Sequence, residues 1–225
     1  MCRNAFGSYY CDCYPGYSVD TKTGRCADVD ECKVNNNCKY KCNNTEGSYV
    51  CYCPHGYTMR NSYCYDNNEC ETNPCDSDAR CFNTYGSYQC IHEPCPNNMY
   101  QRTKYNQCRK KYCTGAYCDS LKTSSIKWQA FRMLRDSPPK WFQFIYTLTG
   151  FKPEYEFHFA LVDGNDEHVF DVKSVGRGKV AIYNAKTLRA AQEFRLTMYA
   201  DVKIGSKLYD RYAYVFHVFV SPYNF

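Results

Sequence analysis

Residues 42–51 read CNNTEGSYVC, and the same frame occurs twice more, as CRNAFGSYYC at 2–11 and CFNTYGSYQC at 81–90. The shared pattern is C-x-N-x2-G-S-Y-x-C, repeated about every 40 residues, the mark of an array of small modules. Gly-Ser in its middle reads as a tight hairpin turn, and the flanking cysteines read as its staples.

Outward from these hairpins, cysteine usage divides the chain. All 18 cysteines of the 225 residues lie between Cys2 and Cys118. Such density marks a region held by disulfides rather than by a core, and it implies the oxidising secretory route. Zinc would favour C-x2-C pairs, and none occurs. The cysteine-free remainder from Asp119 is long enough to bury its own core. No signal-peptide pattern opens the chain, so it is expected to begin inside a module of a longer secreted parent. No apolar run reaches the roughly 18 residues of a membrane helix, and no membrane insertion is expected.

Charge is distributed unevenly. Residues 1–94 carry net −4, residues 95–118 net +5 with no acid, and residues 119–225 net +4. An acidic region beside a basic one suggests cations at the first and polyanions at the second. The candidate polyanion contact is Arg102, Lys104, Arg109, Lys110 and Lys111, for which heparan sulfate is the natural ligand. Compartment excludes nucleic acid.

The second copy of the frame sits in a complete set of six cysteines, Cys32, Cys38, Cys42, Cys51, Cys53 and Cys64. Spacing alone leaves fifteen connectivities open. The set resembles the calcium-binding EGF-like domain. That resemblance implies Cys32–Cys42, Cys38–Cys51 and Cys53–Cys64. In the third module Cys70, Cys75, Cys81 and Cys90 are in register, but His92 stands where a fifth cysteine belongs and Cys95 comes late. The implied pairs are Cys70–Cys81, Cys75–Cys90 and Cys95–Cys108, with Cys113 and Cys118 left for each other. The first module keeps only the last four positions. Cys13–Cys26 can form there, while Cys2 and Cys11 are expected to lack their partners.

An acidic cluster precedes the first cysteine of both later modules, Asp28-Val29-Asp30-Glu31 and Asp66-Asn67-Asn68-Glu69. Calcium takes six to eight oxygens from carboxylates, amides and carbonyls. The resemblance assigns side-chain oxygens to Asp28, Glu31 and Asn44, and backbone carbonyls to Val29, Thr45 and Ser48. The second set is Asp66, Glu69 and Asn83, with carbonyls of Asn67, Thr84 and Ser87. Asn4 lacks an upstream acidic cluster, so no site is expected there. The linkers are too short for free coil, and Tyr17 is expected to meet Glu46-Gly47, as Tyr57 would meet Tyr85-Gly86. The β-hydroxylation motif fits Asn44 and Asn83, and Asn43-Asn44-Thr45 is a glycosylation sequon at Asn43.

Beyond Asp119 the period becomes two. Phe157, Phe159 and Leu161, then Phe194 through Ile204, then Tyr212 through Val220, alternate with polar or outward positions and read as half-buried antiparallel strands. Asp163–Asp166, Gly176–Gly178 and Gly205-Ser206 read as turns. No helix is expected. The late Cys95 in GSYQCIHEPCP, the Cys113–Cys118 spacing, the turn DGNDEHVF at 163–170 and the ending VFVSPYNF together resemble the fibulin family, which includes the carboxyl-terminal modules of fibulins and hemicentins. The implied architecture is small disulfide-rich EGF-like modules in tandem, followed by an all-β sandwich-like domain. Its expected divisions are 1–27 (partial EGF-like), 28–65 (calcium-binding EGF-like), 66–112 (atypical calcium-binding EGF-like) and 113–225 (fibulin-type β domain). The implied function is a secreted, calcium-binding structural glycoprotein of the extracellular matrix or basement membrane. It would bridge matrix proteins and support adhesion, with self-association compatible. An EGF-repeat ectodomain or ligand acting in cell-surface signalling is the alternative. The five histidines are scattered and no nucleophile, metal-protease or phosphate-loop motif occurs, so an enzyme is not expected.

Overall fold

The computed structural model describes residues 2–103, 107–140 and 143–224, with the side chains of residues 2, 3, 10, 11 and 143 left out. The expectation for the Cys2 and Cys11 thiols therefore lies outside the described residues. The chain divides into two compact units that meet at Asn67/Asn68.

The first unit is a series of antiparallel hairpins. β1 (Cys2–Ala5) pairs β2 (Ser8–Cys11), and β3 (Tyr17–Val19) pairs β4 (Cys26–Asp28). A single helical turn, α1 (Glu31–Val34), leads to the hairpin β5 (Lys41–Thr45) with β6 (Ser48–Tyr52), and then to β7 (Tyr57–Arg60) with β8 (Tyr63–Asp66). Disulfides Cys13–Cys26, Cys32–Cys42, Cys38–Cys51 and Cys53–Cys64 hold these hairpins, with Cα–Cα distances of 5.3–5.6 Å. Among the described residues before Phe82 the one buried side chain is Pro54, so no apolar core forms there. Modules this small depend on their staples, each of which contributes roughly 2–5 kcal/mol.

The second unit opens with a 3₁₀ turn at Glu69–Thr72 and the hairpin β9 (Arg80–Asn83) with β10 (Tyr88–Ile91). Its disulfides are Cys70–Cys81, Cys75–Cys90, Cys95–Cys108 and Cys113–Cys118. β11 (Tyr100–Thr103) and β12 (Gln107–Lys110) form a second hairpin, followed by a short helix, α2 (Ala116–Ser120), where no helix was expected. The remaining strands are β13 (Thr123–Met133), β14 (Gln143–Thr147), β15 (Glu156–Asp163), β16 (Phe170–Gly176), β17 (Lys179–Asn184), β18 (Glu193–Ile204) and β19 (Lys207–Val220).

They form a six-stranded sheet, β11-β12-β13-β19-β18-β15, and a three-stranded sheet, β14-β17-β16. One apolar cluster takes Val180 and Ile182 from the smaller sheet and Leu196, Met198, Tyr214, Phe216 and Val218 from the larger. Phe131 meets Phe144 at 4.2 Å and Tyr146 meets Tyr214 at 4.3 Å, linking the sheets through aromatic pairs. The three turns at 163–166, 176–178 and 205–206 fall between strands. Gly164 has φ +76°, and a Cβ there would lie 1.9 Å from the Arg195 carbonyl oxygen, so the turn admits only glycine.

The expectation of purely antiparallel strands needs correction, because β13 and β19 run parallel from Thr123↔Arg211 to Met133↔Val220. Five strands intervene between them, the long connection that a parallel pair requires. β19 also departs from simple alternation: Ala213, Val215 and Phe219 are buried as well as Tyr214, Phe216 and Val218. Its second face is covered by Tyr100, Cys108 and Trp128, and β12 pairs directly with β13. The strand pair that ends the third module is thus built into the large sheet. Among the described residues no helix is long and apolar enough to cross a membrane.

Candidate calcium site at the module joint

The linker into the second module brings two of the expected ligands, Asp28 and Asn44, into contact. β4 ends at Asp28, which pairs across its hairpin with Tyr17, and Val29 N–H donates to the Gly16 carbonyl at 2.8 Å. Two residues later Glu31 begins α1, stapled to β5 through Cys32–Cys42. The Asp28 carboxylate accepts from Asn44 Nδ2 and from the Gly47 backbone N–H, each at 2.6 Å. It therefore ties the linker to both ends of the hairpin turn.

The first module is interlocked with that turn. A Cβ on Gly16 would lie 2.1 Å from the Gly47 carbonyl oxygen, and a Cβ on Gly47 would lie 2.9 Å from the Tyr17 ring. Both glycines have positive φ. Burial, then the carboxylates of Glu46 and Asp28, hold the Tyr17 phenol above its ordinary pKa.

Asn44 Nδ2 is satisfied, but Asn44 Oδ1, Glu31 Oε2 and Asp30 Oδ1 are buried with no hydrogen-bond partner. Leaving such atoms unpaired costs about 1–3 kcal/mol each, more for a charged group. A module without an apolar core has little to set against that. A hard cation accepting several oxygens would satisfy them, and the Thr45 and Ser48 carbonyls lie on the same hairpin. Among the described residues no three His, Cys, Asp or Glu side chains cluster for a metal. The candidate donors are amide and carbonyl oxygens beside few carboxylates, a set that suits calcium. Asp30 was not among the expected ligands. Its other carboxylate oxygen pairs with Lys33 at 2.8 Å, which marks it as a neighbour of the cage.

The second acidic linker repeats the local geometry. Asp66 pairs across its hairpin with Tyr57, and Asn67 N–H donates to Gly56 O at 2.9 Å. These residues end the first unit. Glu69, Asn83, Thr84 and Ser87 belong to the second. There Glu69 starts the 3₁₀ turn and its Oε2 is buried without a partner, as in Glu31. Thr84 differs from Thr45. Its carbonyl accepts from Arg132 Nη1 at 3.3 Å, and that guanidinium stacks 4.9 Å over Tyr85. A cation thus already faces one expected calcium ligand.

The β sheet holds this module by further contacts that the sequence did not reveal. Glu93 accepts from Arg195 Nε at 3.0 Å and faces His217 Nε2 at 3.2 Å, and Gln89 donates to Glu193. Burial pushes the Glu93 carboxyl up, but Arg195 and His217 outweigh it and hold it below its ordinary value. Burial, helped by Arg195 and opposed by Glu93, pushes His217 down. The one available signal was the IHEP insertion before the late Cys95, which places an acid there.

Two of the five basic residues are engaged internally. Lys110 Nζ donates to the Cys118 and Leu121 carbonyls at 2.7 and 2.8 Å, capping the end of α2, and Arg102 donates to the Glu93 carbonyl. Arg109 and Lys111 are exposed, and Lys104 lies outside the described residues. Asn43 is exposed on β5 opposite Val50.

The calcium-binding EGF domain family matches residues 1–26, 28–64 and 66–118. Hemicentin-1 of Homo sapiens is 40% identical over 230 residues, covering 100% of this chain. Hemicentin-2 of Mus musculus is 30% identical over 234 residues and 99% of the chain. Fibulin-7 of Mus musculus is 28% identical over 250 residues and 100% of the chain. The chain spans 3–4% of the length of those hemicentins and 56% of that fibulin-7.

Proposed function

We propose, from the premise that this chain belongs to the calcium-binding EGF domain family and to its fibulin and hemicentin branch, that it is a matrix-bridging segment whose module joints are set by calcium. It is a secreted component of the extracellular matrix, the setting of its relatives and of its disulfides. Its role is structural: bridging of matrix or basement-membrane components and support of cell–matrix adhesion, with matrix proteins as partners. Calcium binds Asp28, Glu31 and Asn44 with the carbonyls of Val29, Thr45 and Ser48, and a second ion takes Glu69 and Asn83 with the carbonyls of Thr84 and Ser87. The strands after Cys113, with β11 and β12 joined to the larger sheet, serve as a sandwich-like fibulin-type domain that presents the modules. Arg109 and Lys111 are what the basic segment leaves for heparan sulfate.

The observation that carries the calcium reading is the pair of buried, unpartnered oxygens, Asn44 Oδ1, whose amide nitrogen donates to Asp28, and Glu31 Oε2. Calorimetric titration of the whole chain should show two sites with Kd on the order of 10⁻⁴–10⁻³ M. Asn44→Ala should remove one of them. Two unchanged sites in that variant, or no binding at millimolar calcium, would overturn the reading.

A further inference from the structure

The second module carries cations that the calcium cage does not use. Lys39 Nζ lies 5.2 Å over the Tyr63 ring, Lys41 Nζ lies 5.5 Å from the Tyr40 ring, and the Arg60 guanidinium lies 5.8 Å over Tyr65. The three are scattered in sequence, yet Lys39 and Arg60 both neighbour Tyr63, and Lys41 stands two residues from Lys39. Arg60 pairs with Tyr63 across β7–β8, and Lys41 pairs with Tyr52 across β5–β6. Tyr63 and Tyr65 are two residues apart on β8 and so share a face.

None of Lys39, Lys41 and Arg60 pairs with a carboxylate among the described residues. The module's acids, Asp28, Asp30, Glu31 and Glu46, lie in the linker, α1 and the hairpin turn, and Asp66 ends β8 with its side chain on the face opposite Tyr63 and Tyr65. Meanwhile Tyr52, Tyr63 and Tyr65 remain about half exposed, at 49%, 53% and 51%. A cation over a ring is held by the ring's quadrupole, which orders the long side chain without neutralising its charge. The result is a strip of alternating aromatic faces and ordered, unpaired cations.

We propose that this strip docks a sulfated polysaccharide chain. Its sulfates would meet Lys39, Lys41 and Arg60, and its sugar rings would lie on the exposed faces of Tyr63, Tyr65 and Tyr52. Charge complementarity demands a polyanion, and the flat rings between the cations suit the apolar faces of pyranose units better than an acidic peptide. The strip relies on the matrix reading for its ligand, but not on the calcium cage, because disulfides Cys38–Cys51 and Cys53–Cys64 hold its strands.

The test is salt elution of the whole chain from immobilised heparin in calcium-replete buffer, with calcium titration of each variant as a check on the module. Lys39→Gln/Lys41→Gln/Arg60→Gln should weaken binding about tenfold or more, equivalent to one 1.4 kcal/mol step, while retaining calcium binding. Tyr63→Ser/Tyr65→Ser should also elute earlier, at unchanged net charge. Arg109→Gln/Lys111→Gln, the contact left in the basic segment, should elute between the triple variant and the parent. Elution of the triple variant with the parent would overturn the proposal, as would an equal shift from the Arg109/Lys111 variant. Competition by polyglutamate as effective as that by free heparin would assign the strip to acidic peptides instead and overturn the glycan assignment. Loss of calcium binding in Asn44→Ala with heparin elution intact would separate the two readings.

Discussion

Between Asp28 and Cys64 the chain has no buried core of apolar side chains, while between Thr123 and Val220 it closes two sheets over Leu196, Met198, Tyr214, Phe216 and Val218. The first region is held by three disulfides and a network around Asp28, the second without a cysteine, by packing, strand ladders and polar contacts such as Arg211 with Asp201. The third module belongs to both regimes. It keeps the staples, yet Cys108 is fully buried beside Tyr100, Trp128 and Val215. A module's neighbour, as much as its own sequence, decides what holds it.

The most direct way to break that comparison is to empty each region of its own support. Phe216→Ala should cost about 3–5 kcal/mol, read from denaturant unfolding of the β sheets. Amide exchange within 28–64 should stay unchanged. The converse, Cys38→Ala with Cys51→Ala, should cost the second module roughly 2–5 kcal/mol and raise its exchange, with the unfolding of the sheets unmoved. If Phe216→Ala also loosened 28–64, the two regions would not be independent.

How much of this was legible differs between the regions for a physical reason. The hairpins announce themselves because disulfide modules keep fixed local spacings; Asn44 stands in the ten-residue frame, Asp28 in the acidic cluster ahead of Cys32, and the resemblance implied their roles. Strands β15 and β18 alternate cleanly because only one face of each is covered. β13 and β19 carry apolar residues on both faces and pair in parallel across a long connection, which period-two reading does not convey. The basic run 102–111 looked like a surface because charge was counted along the chain. Lys110 instead caps α2, while the ordered free cations, Lys39, Lys41 and Arg60, are dispersed in sequence. Glu93 could not be matched to Arg195 and His217 without the fold, since more than 100 residues separate them.

A smaller effect sharpens the role of the metal. Calcium binding at millimolar concentration with a Kd of 10⁻⁴–10⁻³ M stabilises the folded state by about 0.4–1.4 kcal/mol. Chelation should therefore raise amide exchange around Asp28, Asn44 and Gly47 while leaving β18 and β19 protected. The third module should respond less in its own hairpin, because Arg132 already occupies the Thr84 carbonyl. Arg132→Ala should change calcium affinity at the third module alone, by a few-fold, which site-resolved titration would show. An equal change at the Asn44 site would contradict the local contact.

The smallest expected effect concerns pH at the seam between the third module and the sheet. His217 has a folded pKa below its ordinary 6.5, chiefly through burial, so between those values the unfolded chain binds the proton and the folded chain does not. Stability then rises with pH through that window and falls as His217 is forced to charge. Glu93 also has a folded pKa below its ordinary 4.5, so its contribution is present above that value and fades as pH falls through the folded pKa. Both act in the same direction, but in successive windows. Acidification from neutrality should first loosen β10 and the Glu93 segment against β18 and β19, with the Asp28 hairpin unaffected by these two groups. His217→Gln should remove the upper window and leave the lower one. Amide exchange of Gln89–Glu93 against pH reads both steps, and a profile identical in the parent and His217→Gln would show that the seam does not titrate through this histidine.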